Sequence, residues 1–215
     1  GCLNPGPDSF TQSTSTALAN SGVACADGGN TNGNDYCRVY SIDEIGTPVF
    51  TINCLRFGMT NPGSTLAATI NLLISPDGSV DTYADLDLIF SRSFELTTTS
   101  GLEIFSVPID TVVNLTAGSS LVIEVITPPS TDGFVTFAGG TGVDVSSGTT
   151  YIKAPAANCG ISEYIPVGDI GFDLEWFVEA VGRIGFPDDC NFNGIPDYEE
   201  VDSDGDGVID DCDGC

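Results

Sequence analysis

The side chains best suited to chemistry crowd into the last stretch of the chain, 188–215, which reads DDCNFNGIPDYEEVDSDGDGVIDDCDGC. Oxygen donors alternate there as D-x-[DN]-x-[DN]-G-x5-E, the spacing with which a tightly curled loop surrounds one Ca²⁺. In a first loop Asp189, Asn191 and Asn193 take positions 1, 3 and 5, and Gly194 takes position 6. Ile195 offers its main-chain carbonyl at 7, Asp197 stands at 9, and Glu200 is the bidentate candidate at 12. A second loop repeats the set with Asp202, Asp204 and Asp206, then Gly207, the carbonyl of Val208, Asp210 and Asp213. Ca²⁺ is a hard cation that gathers about six to eight oxygens, and glycine at position 6 permits the turn that folds both halves of a loop onto one ion. The shorter Asp213 reaches its ion through one oxygen or through water, which loosens the second site, while its extra charge works the other way. Two bound Ca²⁺ ions are expected. An acidic, glycine-rich run without such order would stay solvated, but two loops in register, each with its glycine in place, point to metal.

Only Val201 separates Glu200 from Asp202, which leaves no room for the helix of about three turns that follows each loop in an EF-hand or a dockerin. The texture D-x-D-G-D-G-x-x-D-x-C-D instead resembles thrombospondin type 3 repeats, which wind around a row of calcium ions and are stapled by cysteines. The resemblance covers only this tail, and it departs from the family in having two loops rather than a long array and in using Asn191 and Asn193 in the first. It implies a calcium-dependent structural element with Cys190 and Cys212 cross-linking the two turns. It names no activity.

Thirty-one acids face only five bases, Arg38, Arg56, Arg92, Lys153 and Arg183, for a formal net charge of −26. Eleven of the acids fall within 188–213 with no base among them, leaving −15 for the rest. Such a surface repels nucleic acid and anionic lipid, so neither is an expected partner. No run of about 18 apolar residues is present, so no membrane insertion is expected. Eight cysteines and no histidine argue against zinc or haem and for disulfides. Together with loops that need the high calcium found outside cells, they place the protein in an extracellular setting, secreted or at a cell surface. The chain opens at Gly1 without Met or an apolar leader, which suggests a mature protein whose signal peptide has been removed.

The elements that must carry this tail are read from periodicity. Residues 1–35 form an N-terminal arm and a Ser/Thr-rich segment: two prolines and two glycines come first, then a stretch at 10–24 suited to an edge strand or to O-glycosylation, then a loop at 27–35. Residues 36–183 alternate with period 2. Strands are expected at 37–42, 49–57, 68–74, 84–90, 102–109, 120–127, 133–137, 151–154 and 172–180. In 84–90 Leu86, Leu88 and Phe90 share one face. In 172–180 Phe172, Leu174, Trp176, Val178 and Ala180 point inward, with Asp173, Glu175 and Glu179 outward. No stretch shows a period of 3.6. Turns of Gly, Pro, Ser and Asp between short alternating runs mark an all-β, antiparallel β-sandwich of eight to ten strands in two sheets, jelly-roll-like or immunoglobulin-like, followed at 184–215 by the tandem calcium loops. The runs YCRVYSIDEIGTPVFTINCLRFGM and YIKAPAANCGISE give the body a resemblance to β-sandwich modules of secreted bacterial surface proteins, which implies an adhesive or structural role.

Catalysis is not expected. Without histidine there is no Ser-His or Cys-His pair, and Lys153 sits in a plain strand context with no S-x-x-K before it. Carboxylate pairs for glycoside hydrolysis, Asp85 with Asp87 or Glu175 with Glu179, read better as solvated faces of an acidic sheet. A carbohydrate-binding or adhesive module is the alternative reading, with Tyr36, Tyr40, Tyr83, Tyr151, Tyr164 and Phe177 as possible platforms for glycans, although packing is the commoner role for each. Asn114-Leu115-Thr116 is the one N-glycosylation sequon. Cys25, Cys37, Cys54 and Cys159 are expected to pair within the sandwich, in an order the sequence leaves open. Cys2 and Cys215, at the extreme ends, either meet each other or bond neighbouring subunits. With a flexible arm and a calcium-stiffened tail, they suit a homo-oligomer in the form of a head-to-tail filament or surface matrix. A monomer with tidy internal disulfides carries comparable weight.

Overall fold

The structure is a computed structural model that describes residues 2, 6–13, 16–18, 22–60, 65–97, 102–130, 136–137, 150–172, 174–186, 188–191 and 195–213. Its elements are β1 (Asp8–Thr11), β2 (Ala26–Asp27), β3 (Asn30–Thr31), β4 (Asn34–Ser41), α1 (Ile42–Ile45), β5 (Val49–Thr60), β6 (Thr65–Ser75), β7 (Asp87–Thr97), β8 (Leu102–Asn114), β9 (Ser120–Thr127), β10 (Thr136–Phe137), β11 (Thr150–Ala154), β12 (Ile161–Pro166) and β13 (Val178–Ile184). Two antiparallel sheets hold all but a small β2–β3 hairpin. In one, β1, β13 and β5 run side by side, and β5 pairs along its length with β8 and at its end with β10. The other runs β12-β11-β4-β9-β6-β7. The expected all-β sandwich is the fold.

Alternation explains the core, with one change of phase: at the register shift between Ile52 and Cys54 the inward face of β5 passes from Phe50 and Ile52 to Leu55 and Phe57, where unbroken alternation would have put Cys54 inward. Phe50, Ile52, Leu55 and Phe57 of one sheet and Tyr36, Tyr40, Ile70, Leu72, Ile123 and Val125 of the other meet in one apolar layer with Trp176. Each fully buried side chain of this size contributes on the order of 1.5–3 kcal/mol. Strand β9 differs: six of its first six residues are buried, because it is covered on both faces. Leu121, Ile123 and Val125 enter the main core, whereas Val122 joins Cys37, Leu73, Val80 and Tyr164 in a second cluster on the outer face.

Several boundaries differ from those that alternation suggests. Residues 84–90 are not one strand. A 3₁₀ turn occupies Tyr83–Asp85, and β7 starts at Asp87. The β6–β7 register slips between Leu72, opposite Phe90, and Leu73, opposite Leu88. The extra residue reverses the alternation, so Phe90 packs on the core while Leu88 is 57% exposed. Residues 172–180 likewise do not run as one strand. Gly171 turns the chain at φ 88°, Phe172 is 42% exposed, and pairing in β13 begins only at Val178; Asp173 lies outside the described residues. Trp176 is nevertheless fully buried. Strand β4 ends at Ser41, and Ile42 opens α1, a single turn too short to show a period. A capping box forms it: Ser41 Oγ accepts from the Glu44 N–H, and the Glu44 carboxylate accepts from the Ser41 N–H at 2.8 Å.

The segment 1–35 is tied into the body. Strand β1 pairs with β13 from Asp8 to Thr11, and Cys2 bonds Cys54 of β5. Cys25 bonds Cys159, as one of the pairings open to the sandwich cysteines. Cys37 departs from that expectation: it is a buried free thiol. It sits in the outer cluster of the six-stranded sheet, whereas Cys54 belongs to the other sheet and meets Cys2. Cys2 therefore has a partner within its own chain, and Cys215 lies outside the described residues.

The backbones approach very closely at Gly182, where the β13–β5 register shifts. A Cβ built there would lie 1.8 Å from the Thr51 carbonyl oxygen. Gly182→Ala is expected to force the two strands apart and cost about 2–3 kcal/mol, read as a lower urea midpoint with an unchanged slope.

Candidate metal centre

The tail leaves β13 through Gly185, whose N–H donates to the Val49 carbonyl and whose own carbonyl accepts from Thr51 Oγ1. Asp189 then turns back onto this glycine and is 1% exposed, so the first loop starts against the sandwich. From here the same framework is built twice, thirteen positions apart. The Asp197 N–H donates to the Asp188 carbonyl, and the Asp210 N–H donates to the Val201 carbonyl. The Asp197 carboxylate accepts from the Cys190 N–H at 2.8 Å, and the Asp210 carboxylate accepts from the Ser203 N–H at 2.8 Å. Short turns close both units, Glu199 N–H to Pro196 carbonyl and Cys212 N–H to Ile209 carbonyl. Sequence register and backbone register agree.

Within the first unit, ligand atoms of Asp189, Asp197 and Glu200 lie within 4.8 Å of one another. The Asn191 amide reaches Glu200 Oε1 at 3.3 Å, which brings position 3 onto the same group. Asn193 and Gly194 lie outside the described residues, and the Ile195 side chain is exposed. In the second unit Asp202, Asp204 and Asp206 converge within the same limit. The Asp202 carboxylate accepts from the N–H groups of Gly205 at 2.7 Å and Gly207 at 2.9 Å, so the loop curls around position 1. Gly207 takes φ 94°, the left-handed conformation that position 6 requires. Asp210 stands apart from that trio. Its carboxylate is engaged by the Ser203 hydroxyl and N–H, which hold its pKa below the ordinary carboxylate value. Asp213 joins neither group; its N–H caps the last turn through the Ile209 carbonyl. Val208 donates its N–H to Asp206 Oδ1.

Both groups are composed of hard oxygen donors. Cys190 and Cys212 also lie beside Asp197, but their sulfurs are joined to each other and offer no thiolate. Unscreened carboxylates about 4.8 Å apart repel by about 3 kcal/mol per pair at an effective dielectric constant of about 20. A cation held among them reverses that sign. The arrangement suits a hard divalent ion and not a thiolate- or imidazole-seeking one.

The other candidate residues fall elsewhere. Asp85 and Asp87 are exposed. Glu175 pairs with the buried Arg38 at 2.7 Å, and Glu179 pairs with Arg56. Among the aromatic side chains, Tyr36, Tyr40, Tyr164 and Phe177 are buried, and Tyr83 and Tyr151 pack on the outer cluster. Asn114 ends β8 exposed, and Leu115 is buried behind it. A surface cleft lined by Thr51, Asn53, Asp110, Val112 and Arg183 has no aromatic wall. Among the described residues no helix is long and apolar enough to cross a membrane.

One polar group escaped the sequence reading. Glu124, in the middle of the apolar run SLVIEVIT, is fully buried on the outer face of β9. It accepts from the Asn71 amide at 2.5 Å, from the Tyr83 hydroxyl at 3.2 Å and from the Tyr164 hydroxyl. Lys153 completes the group. A lone acid in such a run, and a lone lysine in TYIKA, are the signals that could have found it. Burial, and the Glu124 charge next to it, push the Tyr83 phenol up to about 12; burial pushes Tyr164 well above its ordinary value too.

No protein-family model matches the chain, and no curated protein matches it.

Two outcomes follow from this geometry. Replacing Cys190 and Cys212 together by serine removes a cross-link between residues 22 apart. That should cost the tail about 3 kcal/mol and open 188–213 to limited proteolysis while the sandwich stays protected. Because the tyrosines titrate higher in the folded state than the usual value of about 10, the unfolded chain ionises first as pH rises. The buried Cys37 thiol is pushed up by burial too, so stability should be intact below about pH 8.5, where an unfolded thiol starts to ionise, and decline from there through the tyrosine range toward about 12. Thermal melts across that range would show the decline, and Tyr164→Phe should flatten it.

Proposed function

We propose that this chain is an extracellular, non-enzymatic structural protein whose tail is held rigid by two Ca²⁺ ions, and that copies of it assemble head to tail into a filament or surface matrix. The observation that carries the reading is the twice-built tail framework, with a converging carboxylate group in each unit and a disulfide between them. Asp189, Asp197, Glu200 and the Asn191 and Asn193 amides would hold one ion, with the Ile195 carbonyl. Asp202, Asp204 and Asp206 would hold the other, with the Val208 carbonyl and the outer carboxylates Asp210 and Asp213 through water. Each ion at 100 times its dissociation constant adds about 2.7 kcal/mol to the ordered tail.

Three disulfides fit an oxidising environment. The resemblance of the tail to thrombospondin type 3 repeats and of the body to bacterial surface modules supports a structural role. Assembly draws on two further features. Among the described residues β7 is an edge strand of the six-stranded sheet, with Leu88 and Ile89 exposed on it, and an open edge is a template for pairing with another chain. The acidic tail needs a cation before it can pack against another acidic surface.

Calorimetry should count two Ca²⁺ ions per chain, with Asp189→Asn and Asp202→Asn each removing one. Negative-stain microscopy in millimolar Ca²⁺ should show regular filaments that fray when EDTA is added. Small dispersed particles in both conditions would sink the assembly, and glycan binding by such particles would favour a carbohydrate-binding module.

A further inference from the structure

Lys153 of β11 stands directly across from Asp35 of β4. Its Nζ lies 2.8 Å from Asp35 Oδ2 and 3.8 Å from Glu124 Oε1. The site is mostly buried: Lys153 is 8% exposed, Glu124 not at all, and the Asp35 side chain 15%. The face of the Tyr83 ring lies 3.3 Å from the same nitrogen, and the Tyr164 ring 5.2 Å away. Tyr83 is itself pinned by its N–H donating to the Glu163 carboxylate at 2.8 Å. An amine, a carboxyl group and a second carboxylate are thus held together under a partial aromatic cover.

We propose that Lys153 and Asp35 condense into an intramolecular amide, with Glu124 as the proton carrier, so that β4 and β11 are covalently joined across the sheet. Glu124 takes a proton from the Lys153 ammonium, and the freed lone pair attacks Cγ of Asp35. A second proton from the nitrogen and the one held on Glu124 pass to a carboxyl oxygen of Asp35. The Cγ–O bond breaks and that oxygen leaves as water. One ammonium and one carboxylate become one neutral amide and one water, and Glu124 ends as it began. No oxidant or co-reactant enters.

Three physical factors favour the step. Opposed positions in a fixed strand register replace a bimolecular encounter with a held pair, which is worth a very large effective concentration. Two carboxylates beside one ammonium are costly to keep desolvated, and the amide removes one charge of each sign. The partial cover also limits hydrolysis of the product. Asn71 and the two tyrosines, by donating to Glu124, hold it in place as the carrier. This inference is independent of the calcium reading, because none of its residues belongs to the tail.

The test is peptide mapping by mass spectrometry of the reduced, alkylated, folded wild-type chain. The expected result is a branched peptide joining the segment with Asp35 to the segment with Lys153, lighter than the two together by one water. Lys153→Arg keeps the positive charge and the ring contact but should give only linear peptides. Glu124→Gln should slow cross-linking by about 100-fold or more, seen as linear peptides in freshly folded protein. Linear Asp35 and Lys153 peptides from aged wild-type protein would overturn the proposal and leave a buried ion pair. This outcome is read on the wild-type chain, so it stands even if a variant fails to fold. A branch from Lys153 to any residue other than Asp35 would overturn it too.

Discussion

Strand β9 lies between β4 and β6 with apolar side chains on both faces, and both faces must be taken out of water. The inner face is satisfied by the opposite sheet, as in any sandwich. The outer face needs a cover of its own, and the chain supplies it with Val80, Tyr83 and Leu86 from the link between β6 and β7 and with Tyr164 from β12. That requirement shapes much else. It explains why β6 and β7 are joined by a folded strap rather than a tight hairpin, and why β11 and β12 extend the sheet beyond β4. It also buries a carboxylate, because Glu124 lies on the covered face, and a buried carboxylate must be met by donors. Asn71, Tyr83, Tyr164 and Lys153 meet it.

The scarcity of bases gives each one weight. Arg38 is buried between Glu175 and the Trp176 carbonyl, fixing the irregular approach to β13. Arg56 pairs with Glu179 on neighbouring strands, and Lys153 serves the outer cluster. Arg92 lies over the Phe94 ring. In a chain of such acidity these cations go mostly to partly buried carboxylates, where a missing partner would be costly. The ion pairs of Arg38, Arg56 and Lys153 all lie in the sandwich.

The tail is therefore ordered by different physics from the sandwich. Its described part buries Asp189, Pro196, Ile209 and little else beyond Gly185, so hydrophobic area contributes little. Shape comes from backbone N–H groups donating to carboxylates, from two repeated main-chain bonds and from one disulfide. Hydrogen bonds of this kind leave the carboxylates facing one another. The remaining electrostatic cost is what a divalent cation bound there would offset.

The sequence by itself determined whatever depends on local spacing. The glycine at 207, the alternating donors Asp202, Asp204 and Asp206 and the thirteen-residue spacing of the tail match its backbone, because each such turn closes within a dozen residues. Apolar runs such as 49–57 and 120–127 set where strands lie, although a register shift carries the inward face of the first from Ile52 to Leu55 and the second is buried on both faces. Only the tertiary structure decided what depends on register between distant segments. One extra residue opposite Leu72 and Leu73 sends Leu88 out and Phe90 in, and nothing local to 84–90 records which strand it will face. The pairing of Cys2 with Cys54, the isolation of Cys37, and the meeting of Asp35, Glu124 and Lys153 are of the same kind. They join residues far apart in the chain, and packing, not spacing, brings them together.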